Sequence, residues 1–277
     1  MSLLVYYLSV CFSTFPPFSC YNKNMRNALL ALFFLFIFGV PARAQNDHVR
    51  IAEQNAPAIV AVNVIKADGS TFTGTGFVLT PDGLVATTRH VTKDALYINL
   101  TFNTGAVSGE AVPVAQAGNV DLALLQIHAK NLPHVTVVPS DTVLPGQTIT
   151  VIGNPRRLQN TISSGLISQI RKKADGVLWH QISAPISPSS SGSPVFDHNG
   201  NVISVVFGSY KGEGNQNLNF SVPSNYLIQL VKAAGLQLPP STEEEDAQTA
   251  KPTQTDNPVW AHLKKSWSIL MRLLHAK

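Results

Sequence analysis

Thr88-Arg89-His90-Val91, Asn119-Val120-Asp121-Leu122-Ala123-Leu124 and Ser190-Ser191-Gly192-Ser193-Pro194 are the stretches on which the reading of this chain turns. Each carries one residue type that nucleophilic hydrolysis needs. A serine hydroxyl is a poor nucleophile alone. A histidine must take its proton, and a carboxylate must fix the tautomer of that histidine and stabilise its charged form. The three residues lie far apart in sequence, so only a fold can bring them together.

Outward from these stretches, residues from Ala58 to about Val222 read as all-β. Short runs rich in Val, Ile, Thr and Phe alternate with Gly, Pro, Asn and Asp punctuation. Ile59–Ile65, Gly74–Leu79, Tyr97–Phe102, Thr148–Ile152, Val177–Ile182, Val202–Phe207 and Leu218–Val222 are expected strands. Asp82-Gly83 and Asn199-Gly200 fall between apolar runs, as hairpin connections do. Many short strands at close spacing point to barrels or a sandwich. After Pro223, the spacing of Leu227, Leu230 and Val231 predicts a helix over Asn225–Ala234, with Ser224 as N-cap and Gly235 as stop.

Both ends depart from this pattern. Lys23 and Arg26 precede the apolar run Ala28–Val40, and Ala42-Arg43-Ala44 has the small-x-small form of a processing site. Residues 1–44 are expected to leave as a signal peptide, with Gln45 the first mature residue. Met25 would start a signal of ordinary length, so the upstream stretch reads as a mis-assigned start. Cys11 and Cys20, the two cysteines of the chain, would leave with it. The mature protein would then have no disulfide and no thiolate chemistry. Removing Lys23, Arg26 and Arg43 from a chain of net charge +4 leaves it close to neutral, so the basic composition is no argument for nucleic acid.

Beyond Leu236 the composition changes again. Residues 237–258 are rich in Pro, Thr, Gln and acids and read as a solvated linker. Over 259–277, Trp260, Leu263, Trp267, Leu270 and Leu274 recur at helical spacing, with Lys264, Lys265, Arg272 and Lys277 beside them. A basic amphipathic helix of this kind suits an anionic membrane surface or a protein partner.

Several of these motifs together resemble the HtrA-like, trypsin-fold serine proteases. The segment Gly74-Thr75-Gly76-Phe77-Val78-Leu79 through His90 is similar to the family's first barrel. Asp121-Leu-Ala-Leu-Leu-Gln-Ile is similar to its aspartate motif, and Val151-Ile-Gly-Asn-Pro with Thr161–Ser168 to the opening of its second barrel. Ser187–Phe196 resembles its nucleophile loop, and Ser193-Pro194-Val195-Phe196 is also similar to secreted glutamyl endopeptidases. Asn219–Ser224 resembles its last strand. The order His, Asp, Ser fits this family, whereas α/β-hydrolases and subtilisins use other orders.

The resemblance implies an all-β protein of two packed six-stranded antiparallel β-barrels with a short C-terminal helix. The domain would span 45–236, with barrel one over about 52–132 and barrel two over about 135–236. It implies an exported, periplasmic or secreted, serine endopeptidase acting on protein or peptide substrates. His90 would be general base and acid, Asp121 its orienting partner and Ser191 the nucleophile. The amides of Ser189 and Ser191 would form the oxyanion hole. The primary pocket would involve Val206, Phe207 and Gly208. No acidic or basic residue occurs in the segments expected to wall it, which predicts cleavage after small or medium apolar residues.

The chain departs from the family pattern in two respects. Positions 189, 190 and 193, often Gly, Asn and Gly in the family, are all Ser here. A Cβ at Ser189 disfavours the backbone conformation that aims its amide into the hole. No PDZ domain is expected after Leu236. A catalytically weak, protease-fold binding or scaffolding protein is therefore the alternative. His48, His128, His134, His180 and His198 show no metal-ligand spacing, and no phosphate loop occurs. No metal and no cofactor are expected.

Overall fold

Strands form in this chain wherever β-branched and aromatic residues run between turn formers, and their closure makes two barrels. The computed structural model describes residues 47–102, 108–154, 160–209 and 218–240. The signal peptide expected over 1–44, the terminal helix expected over 259–277 and the linker beyond residue 240 lie outside the described residues.

Helix α1 (Asp47–Asn55) and a 3-10 turn (Ala56–Ala58) lead into β1 (Ile59–Lys66), β2 (Thr71–Val78) and β3 (Leu84–Thr87). A single turn, α2 (Arg89–Thr92), precedes β4 (Ala95–Phe102), β5 (Ser108–Gln116) and β6 (Ala123–Ile127). These strands close in the order β1-β2-β3-β6-β5-β4.

The second set is β7 (Thr148–Gly153), β8 (Thr161–Lys172), β9 (Leu178–Ile182), β10 (Pro194–Phe196), β11 (Val202–Ser209) and β12 (Asn219–Pro223). It closes as β10-β11-β12-β9-β8-β7, and α3 (Ser224–Ala233) follows. The fold is all-β: two closed six-stranded antiparallel barrels and a short C-terminal helix. Closure removes the free sheet edges that invite aggregation.

Each expected run overlaps a strand. The strands that the sequence does not single out, β3, β5, β6, β8 and β10, are mixed in composition or short. β8 is largely exposed, so it carries little of the apolar signal by which strands are read. Helix α1 is not expected from the sequence either. Its Ile51 is 1% exposed, and Arg50 donates to the carbonyls of His198 and Asn199 in barrel two.

Helix α3 forms as expected but starts differently. Pro223 occupies the N-cap with no side-chain cap, and Ser224 lies inside the first turn. The Ser224 hydroxyl is drawn away to donate to the Val138 carbonyl at 2.6 Å. At the other end Gly235 adopts φ +73°, and the N–H groups of Gly235 and Leu236 donate to the carbonyls of Lys232 and Val231. That pairing closes the helix in a Schellman motif. Leu227 is fully buried, which contributes about 2 kcal/mol by transfer. One apolar cluster runs through barrel one and reaches α1 and α3. A second, with Ile149, Val151, Ile167, Ile182, Val195 and Val206, fills barrel two.

Candidate active site

Three connections between strands bring the candidate residues together. His90 sits in α2, directly after β3. Asp121 lies in the turn that leads into β6. Ser191 lies in the loop between β9 and β10. Pairing of β3 with β6 places Thr87 opposite Ala123, and this register brings the His90 turn beside Asp121.

The Asp121 carboxylate then grips His90 twice. Oδ1 accepts the His90 backbone N–H at 2.9 Å, and Oδ2 accepts from the ring Nδ1 at 2.5 Å. A carboxylate can only accept here, so Nδ1 carries the proton and Nε2 is the basic nitrogen. Arg89 fixes the neighbouring turn by donating to the carbonyls of Ala117 and Gly118.

The nucleophile loop is held by its own backbone and by barrel one. Ser190 N–H donates to the Ser187 carbonyl and Ser193 N–H to the Ser190 carbonyl, both at 3.0 Å. Gly192 N–H donates to the Val206 carbonyl at 2.7 Å. Gly192 must be glycine: φ is +90°, and a Cβ there would run into the Thr75 carbonyl oxygen. Among the described residues the amides of Ser189 and Ser191 donate no hydrogen bond.

Ser189 itself adopts φ +75°, a left-handed conformation. For a residue with a Cβ that costs about 1–2 kcal/mol and persists only where the surroundings enforce it. This is the position at which the sequence lacks the family's glycine.

His90 and Ser191 line one cavity of about 550 Å³, together with Phe72, Ile186, Pro188, Ser189 and Gly208. Phe72 meets the His90 ring edge-on at 6.3 Å between centroids.

The profile of the trypsin-like peptidase domain matches residues 74–205, a range that contains all three candidate residues. The chain contains a trypsin-like peptidase domain. It is homologous to the HtrA and DegP serine proteases. It is 34% identical over 216 residues to the "Probable periplasmic serine endoprotease DegP-like" of Chlamydia pneumoniae, covering 75% of this chain and 38% of that one. The solved structure "HtrA-type protease AlgW with tripeptide" superposes with a TM-score of 0.63 at 27% identity, over 67% of this chain and 62% of that one. The serine endoprotease from Yersinia pestis gives 0.60 at 26% identity, over 68% and 66%. The chain spans about a third of the length of the first curated relatives it matches.

Within this peptidase domain the expected pocket residues separate. Gly208 lines the cavity, but Val206 and Phe207 do not. Val206 is fully buried in the barrel-two core. Phe207 packs instead with Trp179 and Phe220, at centroid distances of 4.9 and 6.3 Å. Alternation along β11 and its register shift between Val206 and Gly208 produce this split. Phe72 and Ile186 line the cavity, and the sequence does not single them out for that role. Phe72 is 40% exposed on a strand, the kind of outward aromatic that could have signalled it.

Ser193, one of the serines that depart from the family pattern, is fully buried, and its hydroxyl has no partner among the described residues. It lies against Gly153, where any side chain would strike it. Among the described residues no cluster of His, Cys, Asp or Glu is arranged to hold a metal ion.

Proposed function

We propose that this chain is an exported serine endopeptidase that cleaves peptide bonds through an acyl-enzyme, with His90, Asp121 and Ser191 as its triad. The carrying observation is the double grip of Asp121 on His90, on the wall of the same cavity as Ser191. His90 Nε2 takes the Ser191 proton while Oγ attacks the scissile carbonyl. The oxyanion meets the amides of Ser189 and Ser191. The imidazolium, stabilised by Asp121, gives its proton to the leaving amine, and water then releases the acyl group by the same steps in reverse.

Homology to proteins named serine endoproteases supports the reaction, and the similarity to AlgW, solved with a tripeptide, supports peptide substrates. The lining residues Phe72, Ile186, Pro188 and Gly208 bring no fixed charge, which favours small or medium apolar side chains before the cleaved bond. The signal-like residues 1–44 and the periplasmic names of relatives support export. The basic segment 259–277 is assigned to a membrane surface or a partner protein, tethered by the acidic linker.

The serine at position 189, where the family pattern has glycine, favours a second reading, a protease fold with weak catalysis that binds rather than cleaves. A fluorophosphonate probe separates the two, because labelling needs an activated serine. Labelling and peptide hydrolysis that both vanish in Ser191→Ala support the endopeptidase. An unlabelled wild type supports the binder.

A further inference from the structure

Thr75, on β2 of barrel one, is fully buried and bonds at every polar atom it has. Its N–H donates to the Ser191 carbonyl at 2.8 Å. Its hydroxyl donates to the Ser189 carbonyl at 2.8 Å and accepts the Asn154 N–H at 3.1 Å. Its own carbonyl accepts from Thr87 Oγ1 at 2.7 Å. The hydroxyl proton is committed to Ser189, because Asn154 N–H can only donate. One residue of the first barrel thus pins both ends of the Ser189–Ser191 segment that belongs to the second.

We propose that Thr75 is a positioning residue for the oxyanion hole, a role that rests on the endopeptidase reading above. The Ser189 conformation is intrinsically unfavourable, so something must over-determine it. The peptide between Ser189 and Ser190 is pinned at its carbonyl by Thr75 and at its N–H by the Ser187 carbonyl. With that peptide fixed, the positive φ decides where the Ser189 amide points. Without the Thr75 hydroxyl, one pin is lost, Ser189 relaxes toward negative φ, and its amide swings away. Gly74 and Gly76 flank Thr75, and a Cβ at Gly74 would press on Val91 and the Ser191 carbonyl. The missing side chain at Gly74 is what lets Thr75 approach the loop this closely.

Loss of one oxyanion donor costs about 10²–10³ in kcat, so a partly displaced Ser189 amide should cost about 10–100-fold. Thr75→Val keeps the shape and removes the hydroxyl. The expected result is that loss in kcat, with KM changed by less than about threefold. Thr75→Ser, which keeps the hydroxyl, recovers most of the loss. Ser189→Gly placed in Thr75→Val brings kcat back to the level of Ser189→Gly alone, because glycine holds positive φ without help. A purely structural role for Thr75 would not produce that rescue.

The inference is overturned if Thr75→Val keeps the wild-type kcat, or if Ser189→Gly restores nothing. If wild type shows no turnover that Ser191→Ala abolishes, the endopeptidase reading has failed instead. Thr75 is then judged by urea unfolding midpoints of wild type, the two single variants and the double variant. Non-additive midpoints uphold the Thr75–Ser189 link, and additive ones sink it. Should Thr75→Val not fold, Thr75→Cys, with only a weak donor, carries the same comparison.

Discussion

His180 gives the fold a built-in sensitivity to acid. It lies on β9, opposite Ser221 of β12 and Ile170 of β8, and is 2% exposed. Ser221 is already engaged with Ser204, hydroxyl to hydroxyl at 2.9 Å, and His180 Nδ1 has no partner among the described residues. Burial without a compensating bond disfavours the imidazolium and pushes the His180 pKa down from 6.5 to about 4. Above pH 6.5 the ring is neutral in both the folded and the unfolded chain and has no effect on stability. Between pH 6.5 and 4 the unfolded chain binds the proton and the folded one does not, so stability falls as pH falls. The loss is about 2 kcal/mol at pH 5 and approaches about 3 kcal/mol near pH 4.

The assay is urea unfolding of wild type and His180→Leu at pH 7.5, 6 and 5. Carboxylates that titrate in both proteins cancel in the comparison. Wild type should lose about 2 kcal/mol more than the variant between pH 7.5 and 5. Parallel pH dependence in the two proteins would refute the reasoning.

Other outcomes follow from the site. Asp121→Asn leaves Nδ1 facing an amide, favours the wrong tautomer and should lower kcat about 10⁴-fold, measured by peptide turnover. A loss under about tenfold would argue against the dyad. Ser193→Ala removes a buried hydroxyl that has no partner among the described residues and should raise stability by about 1 kcal/mol in urea unfolding; a destabilised variant would mean that the hydroxyl is bonded. Gly192→Ala drives a Cβ into the Thr75 carbonyl and should cost at least roughly 3 kcal/mol along with fluorophosphonate labelling. Retention of both would contradict the loop geometry. A peptide library should show apolar residues before the cleaved bond, and a profile dominated by Arg, Lys or Glu would overturn that specificity.

Local chemistry was legible without coordinates. Runs such as Ile59–Ile65 and Val202–Phe207 are β-branched and bounded by turn formers, so their strand character is set within a few residues. The same holds for the stop at Gly235, whereas the anomaly at Ser189 was legible only through the resemblance, which places glycine there. The order of His90, Asp121 and Ser191 limited which fold could unite them. Tertiary structure decided what depends on partners distant in sequence. Ser224 gave up its expected cap because Val138, 86 residues away, offered a buried acceptor. Val206 and Phe207 left the pocket because the barrel-two core and Trp179 claimed them. Thr75 gained its hold on Ser189, 114 residues away, only when two barrels closed against each other. Hydrogen bonds and packing act over a few ångströms, and in a double barrel those ångströms separate residues that the chain keeps far apart.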